Sequence, residues 1–467
     1  MSLNARFSVR QKDKQAAGQL WDVEIMEFRH GCVPGNDTTA NLWTALRRQQ
    51  RVACQTIILL DDNGAPSYTR RQTHMKTSLY SFLVTVFVLL PAPSQSAQLT
   101  VTAANKLNLA RTSQTIELTA EQLAPLAAKD LATIHVKDAA GMELVAQAVD
   151  TDFDAYHKAD IVIFQADFAP NETKTFTVTT GKKQEFSKDQ FKAFGRFVRE
   201  RFDDFAWEND RIAHRTYGAA LEKWAGEPLT SSTIDIWSKR TPRMVINDWY
   251  LADHYHEDTG EGADFYSAGP SRGCGGNGLW VGDKLWTSYN FVDSRVLANG
   301  PIRVVFELEY PPFKVADASY AEVKRISLDA GSQLDRFESR YRPFFPEFDK
   351  PIDREKLFVG IGLKKVTGEK VEFNAAHGWL CKWEPVAKGA GEQGLAIVVD
   401  PKRVEKQAED KLNQLVIVRP PENLRATYWA GFCWDKAGQI TSADAWKKYV
   451  DEFAQGLASP IEVSVAN

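Results

Sequence analysis

The sequence predicts a mainly β protein, with a small N-terminal β-sandwich, a large antiparallel β-sandwich and one C-terminal helix. Three observations predict it. Short alternating or apolar runs recur from Leu99 to Trp429, turn formers separate them, and no Gly-rich strand-to-helix loop interrupts the series. A chain of 467 residues, 43% of them hydrophobic, can bury a large core and suggests two or three domains. The net charge of −4 supplies no basic excess for a phosphate backbone, so nucleic acid is not an expected partner. Aromatic residues are abundant, with 13 Trp, 13 Tyr and 26 Phe; flat rings serve cores first and sugar-binding clefts second.

Residues 1–74 carry scattered polar and basic residues and read as a doubtful extension. Residues 75–97 read as a secretory signal peptide: Met75-Lys76-Thr77, an apolar run from Leu79 to Leu90, and Gln95-Ser96-Ala97 as a small-residue cleavage site. The run is short of the roughly 20 residues that span a bilayer. The expectation is therefore translation from Met75 and a periplasmic or secreted mature chain from about Gln98, without a membrane span. Of the five cysteines, Cys274, Cys381 and Cys433 fall in that chain; an odd count leaves at least one free thiol.

Residues 98–182 form the expected small sandwich, with strands at Leu99–Thr102, Thr115–Leu118, Thr133–Val136, Ile161–Phe164 and Thr175–Val178. After a charged linker, Phe191, Phe194, Phe197, Val198 and Phe202 recur at near-helical spacing and predict a short amphipathic helix over 187–202. The large sandwich is expected over 187–467. Strands are predicted at Ile234–Trp237 and Met244–Ile246, and hairpins across Gly282-Asp283 and Asn299-Gly300. Further strands follow at Arg325–Leu328, Leu334–Glu338, Phe358–Leu363, Val371–Phe373, Leu395–Val399, Leu415–Val418 and Ala426–Trp429. The helix Ser442–Leu457 closes the chain, with Thr441 and Asp444 as its capping pattern and Trp446, Tyr449, Val450, Phe453 and Leu457 on one face.

The stretch Asp203–Asn290 is too polar for a core. It holds His254-Tyr255-His256, the carboxylates Asp253, Glu257, Asp258, Glu261 and Asp264, Tyr266, and Arg272-Gly273-Cys274-Gly275-Gly276, where glycines let backbone approach a ligand. In a period-2 strand Asn209, Arg211, Ala213, Arg215 and Tyr217 face one way and His214 the other. A His-x-His pair also suits a divalent metal, with Asp258, Glu261 or Asp264 completing the set, although no cofactor is required by the pattern.

Asp203–Gly218, Ile234–Arg240, His254–His256 and Arg272–Gly276 together resemble a bacterial family known as domain of unknown function 4861, over essentially the whole mature chain. The resemblance implies a secreted protein of polysaccharide-degrading bacteria with a galactose-mutarotase-like sandwich, in pathways for uronate-rich polysaccharides such as pectin and ulvan, with an ulvan oligosaccharide dehydratase as a related protein. Uronates are opened by β-elimination: a base takes the proton α to the carboxylate, a cation neutralises the developing charge, and an acid protonates the leaving oxygen. The predicted function is thus a carbon–oxygen lyase or dehydratase acting on an oligosaccharide. His254, His256, Tyr217, Tyr255 and His214 are its acid and base candidates; Asn209, Arg211, Arg215, Lys239, Arg240, Arg272, Trp237 and Tyr266 bind substrate. Two alternatives stand beside it. A glycoside hydrolase would use a pair from Asp235, Asp248, Asp253, Glu261 and Asp264, and a non-catalytic carbohydrate-binding protein would use Trp237, Trp249, Trp280 and Trp286.

Overall fold

A computed structural model describes residues 97–466, apart from 152–157, 227, 253, 345–346, 348 and 351. The signal-peptide expectation and residues 1–74 lie outside the described residues, Ala97 excepted. The N-terminal layer is a β-sandwich. One sheet runs Glu462–Ala466, Gln98–Ala104, Thr173–Thr180, Ile134–Lys137, Glu143–Leu144; the other runs Arg111–Thr119, Ile161–Phe168, Ala146–Val149. Alternation places Leu99, Val101, Ile116, Phe164, Phe176 and Val178 between them. The chain does not close on its helix as the pattern suggested. A last strand, Glu462–Ala466, returns to pair antiparallel with Gln98–Ala104, opposing Val465 to Val101.

The large sandwich sets one eight-stranded antiparallel sheet against two five-stranded ones. Phe306, Ile326, Phe337 and Tyr428 on the inner face of the eight-stranded sheet meet Leu279, Ile361 and Val416 of one partner and Phe205 and Trp207 of the other. Sheets so packed stand about 10 Å apart. His214 belongs to this interior: fully buried, its Nε2 lies 2.9 Å from Asp335 Oδ2 and its ring stacks on Trp207. The outer face of the eight-stranded sheet is covered twice. The helix Ala443–Ala458 lays Trp446, Val450 and Ala454 on Trp379, Cys381 and Cys433, and the N-terminal sandwich lays Val149, Ile161 and Ile163 on Ile302 and Val305.

Several local expectations are corrected. Residues 187–202 are not a helix: Ala193–Val198 is a strand paired with Asp204–Asn209, because pairing to a buried neighbour outweighs an aromatic spacing that fits both periods. Met244–Ile246 is not a strand but leads into the helix Ile246–Ala252. Its start is set at a distance, since the Glu208 carboxylate accepts from Val245 N (2.9 Å) and Ile246 N (2.8 Å). The C-terminal helix is capped by Ser442, whose Oγ accepts from Ala445 N at 3.3 Å, rather than by Thr441. Phe358–Lys364 and Lys370–Asn374, which Thr367-Gly368 suggests as a hairpin, are instead strands of different sheets. The glycines after Arg272 serve packing: a Cβ on Gly273, at φ +60°, would lie 1.9 Å from Ile234 O.

Glu208 also receives Lys239 Nζ at 2.7 Å, with both side chains fully enclosed. Glu208→Gln keeps the shape but leaves a buried ammonium uncompensated, so a loss on the order of 3 kcal/mol is expected, measured by chemical denaturation; an unchanged midpoint would show that the pair adds nothing to stability.

Candidate functional site

Three strands of one five-stranded sheet, Asp204–Asn209, Ala213–Thr216 and Asp235–Lys239, carry the candidate site on their outer face. The period of two sends Phe205, Trp207, His214 and Ile236 inward and Asp204, Ala206, Arg215, Asp235 and Trp237 outward. Over that outer face lie the helix Ile246–Ala252 and the segment 254–266. Ile246, Trp249, Tyr250 and Tyr255 pack there on Ala206, Ala213 and Trp237. The segment is fastened where Gly262–Ala263 pairs with Ser238 and Lys239. Gly262 stands at φ +117°, and a Cβ there would lie 2.0 Å from Ser238 O, so only glycine fits.

Arg215 is the centre of a buried ion cluster. Its Nε donates to Asp235 Oδ2 at 2.8 Å, its Nη2 to Asp264 Oδ2 at 2.8 Å and its Nη1 to Tyr255 Oη at 3.4 Å, and Asp204 Oδ2 lies 3.9 Å from Nη1. Tyr217 Oη donates to Asp235 Oδ2 at 2.6 Å. Tyr255 Oη also accepts from Arg201 Nε at 2.9 Å, so two guanidinium groups converge on one phenol oxygen. Three aromatic rings, Tyr217, Trp237 and Tyr255, surround the Arg215 guanidinium at 5.4 to 5.6 Å.

Three carboxylates therefore face two guanidinium groups, an excess of one negative charge in a desolvated place. Burial answers by retaining protons: it holds Asp204 up to about 7 against the pull of Arg215, and it raises Asp264 well above the ordinary carboxylate range. Asp204 Oδ1 has no hydrogen-bond donor among the described residues, as a protonated carboxyl oxygen can tolerate. Tyr217 is raised far above the usual phenol range, first by burial and then by Asp235, so it stays a donor. His256 marks the solvent boundary. Its side chain is 55% exposed, its Nδ1 lies 3.4 Å from Asp264 Oδ2, and its ring centroid lies 4.5 Å from that of Tyr255. Desolvation pushes it below its ordinary 6.5, leaving a neutral imidazole at neutral pH.

The predicted residues thus divide. Arg215, Tyr217, Trp237, Tyr255 and His256 come together. Tyr266, buried beneath Lys364, whose Nζ sits 5.6 Å from its ring centroid, borders the same space. The others do not join them. Asn209 and Arg211 belong to a hairpin turn, where Asn209 Oδ1 accepts from Arg211 N and Ile212 N. Lys239 is spent on Glu208, Asn209 O and Arg243 O. Arg240 pairs with Asp258 and lies over Trp434. Arg272 is buried in the sandwich interior on Ser231 and Ser232 hydroxyls. His254 is exposed, and its imidazole has no hydrogen-bond partner among the described residues. The carboxylates proposed for a metal turn to three different arginines, Asp258 to Arg240, Glu261 to Arg243 and Asp264 to Arg215; among the described residues no group of three or more His, Cys, Asp or Glu is placed to hold one. Trp237 is fully buried and offers no face to a sugar. Arg201 and Tyr250 were missed; Asp204 was legible only as one of several carboxylates near in sequence that could pair with Arg215, and its Oδ2 lies 3.9 Å from Arg215 Nη1.

Residues 103–463 match the family model described as "Domain of unknown function (DUF4861)". The chain belongs to that family. It is 33% identical over 399 residues to "Uncharacterized protein P7" of Formosa agariphila, across 80% of this chain and 95% of that one. Among solved structures it is similar to an alpha-mannosidase from Enterococcus faecalis V583 (TM-score 0.44, 9% identity, 79% of this chain and 46% of that chain). A protein in the glycosyl hydrolase family 38 from Enterococcus faecalis aligns comparably (TM-score 0.45, 9% identity, 79% and 47%). The chain spans about half the length of these two structures.

For this DUF4861 member the Asp204 proton has a measurable consequence. Unfolded, Asp204 ionises near 3.8; folded, it keeps its proton to about 7. The unfolded state binds fewer protons between those values, so this group's contribution to stability is full at low pH and is lost as pH rises through the window. Asp204→Asn imitates the protonated form. Its thermal midpoint is expected to gain on the parent between about pH 4 and about pH 7, and a constant difference across that range would place the proton elsewhere.

Proposed function

We propose that this protein is a carbohydrate-active carbon–oxygen lyase or dehydratase that acts by β-elimination on uronate-containing oligosaccharides. The observation that carries the reading is the pairing of His256 with Tyr255: a neutral, half-exposed imidazole beside a phenol whose oxygen gathers Arg201 and Arg215. His256 takes the proton from the carbon α to the carboxylate, a C=C bond forms to the β carbon, and the β C–O bond breaks. Tyr255 gives its proton to the departing oxygen, and the phenolate left behind is met by two guanidinium donors. Arg215 acts as organiser rather than clamp, because its donors are already directed to Asp235, Asp264 and Tyr255. The half-buried Lys364, within electrostatic reach of Asp235 and Glu384, is the cation that neutralises the substrate carboxylate. Secretion through residues 75–97 agrees with a polymer-derived substrate such as a pectin or ulvan fragment.

One observation favours the hydrolase reading: Asp235 and Asp264 share one guanidinium, and Asp264 holds its proton as a general acid must. Against it, both carboxylates are fully enclosed. Incubation with pectin- and ulvan-derived oligosaccharides separates the two. Ultraviolet absorbance from a new conjugated double bond, with loss of one water or cleavage without gain of water, is expected; saturated products that have gained water would establish hydrolysis instead.

His256→Ala and Tyr255→Phe are each expected to lower turnover by roughly 10²- to 10⁴-fold. His256→Ala should leave the melting temperature nearly unchanged, given its exposure, and His254→Ala should leave turnover intact. The rate should fall on the acid side as His256 takes up a proton, below its ordinary 6.5, because a protonated imidazole accepts nothing. An acid limb that persists in His256→Ala would remove it as the base.

A further inference from the structure

The N-terminal sandwich and the C-terminal helix cover opposite ends of the eight-stranded sheet's outer face, and a trough remains between them. Its cavity is about 330 Å³. Ser327, Arg336 and Trp429 form the floor, the strand that begins at Arg111 forms one wall, and Tyr449 and Phe453 form the other. Arg111 closes one end, donating through Nη1 to Ser459 O at 2.9 Å and through Nη2 to Gly456 O at 3.3 Å. Of the cavity's carboxylates, Asp329 is held by Arg303 and Glu452 by Lys448.

Beyond the cavity the same face is basic. Strand alternation points Arg336, Glu338 and Arg340 outward from Leu334–Pro343, and Arg425, Thr427 and Trp429 outward from Arg425–Trp434. Register sets Arg336 opposite Trp429, Glu338 opposite Thr427 and Arg340 opposite Arg425. Arg325 and Arg295 continue the face on the next strands. Five guanidinium groups share two buried carboxylates: Glu307 takes Arg295, Arg325 and Arg340, and Glu338 takes Arg336 and Arg425. The glutamates are 0% and 2% exposed, whereas Arg336, Arg340 and Arg425 are 43%, 45% and 43% exposed. Arg336, Arg340 and Arg425 thus present three half-exposed guanidinium groups in a chain whose net charge is −4. Asp293 and Glu309 stand at the sheet edge on the rung that carries Arg340 and Arg425, whereas Arg336 stands on the cavity's own rung, between Ser327 and Trp429.

We propose that this trough binds an anionic oligosaccharide, on the side of the sandwich opposite the Arg215 space and independently of the reaction proposed there. Guanidinium forks fixed by buried carboxylates on rigid strands present their outer N–H groups to carboxylate or sulfate ester. Trp429, half-buried and edge-on to Phe453 at 6.5 Å, offers a ring to the apolar face of a sugar. The site would grip a charged chain apart from the point of chemistry, as multivalent attachment requires.

Calorimetric titration of the intact protein at low salt with hexameric oligogalacturonate, hexameric carrageenan fragment and maltohexaose tests this. At least one anionic probe is expected to bind, the neutral one is not, and added salt should weaken binding; whichever anionic probe binds better identifies carboxylate or sulfate as the group read. Thr427→Glu, which removes none of the charged side chains, should weaken binding about fivefold or more, and Thr427→Lys should strengthen it. The proposal is overturned if neither anionic probe binds, if maltohexaose binds equally, or if both Thr427 variants leave affinity unchanged. Binding that disappears in His256→Ala but survives Thr427→Glu would assign the ligand to the Arg215 space and equally overturn the trough.

Discussion

A guanidinium taken out of water has to be surrounded by charge of the opposite sign, and everything on the outer face of the Arg215 sheet follows from that constraint. An unpaired buried cation costs several kcal/mol, and a single carboxylate leaves most of the fork unsatisfied. Asp235, Asp264 and Tyr255 occupy three directions of the Arg215 fork, with Asp204 a little farther off. Asp264 and Tyr255 come from the covering segment, so the ion cluster and the cover form together: without the segment, Arg215 would lose two of its partners. The Gly262–Ala263 pairing and the Glu208 cap on the helix Ile246–Ala252 hold that cover in place from either side.

Surrounding one cation with several anions overshoots, and the overshoot is what makes the place chemically interesting. Water would let each carboxylate ionise; here desolvation and mutual repulsion leave protons behind on Asp204 and Asp264. At the boundary the same desolvation acts on a base and has the opposite effect, keeping His256 neutral. An acid that holds its proton and a base that lacks one then coexist at neutral pH within 3.4 Å, a separation of roles that two groups in open water would not show.

The strand series, its hairpins and the C-terminal helix were legible because one face of each element is buried, so period and burial agree. The exceptions were places where a distant group decides. Glu208, some 38 positions away, turns Ile246 from a strand into a helix start, and pairing with Asp204–Asn209 straightens Ala193–Val198. The candidate site was half legible for the same reason. Arg215, Tyr217, Tyr255 and His256 stood out because their stretch is too polar for a core, but nothing local showed that Arg211 sits in a turn, that Lys239 answers Glu208, or that Arg272 points into the interior. Residue type announces a charge; only the fold says which partner neutralises it.

The sandwich carries its two candidate sites on opposite outer faces, and the two treat charge in contrary ways. Around Arg215 the cation is enclosed and the anions exceed it, so the surplus is stored as protons. On the eight-stranded sheet the glutamates are enclosed and the arginines exceed them, so the surplus stays exposed as positive charge. Enclosure of one partner fixes the other in both cases. A buried anion cluster with its protons retained suits proton transfer; an exposed row of held guanidinium groups beside Trp429 suits attachment. A protein acting on charged sugar chains gains from having both, since the face that grips the chain then leaves the reacting face free of competing cations.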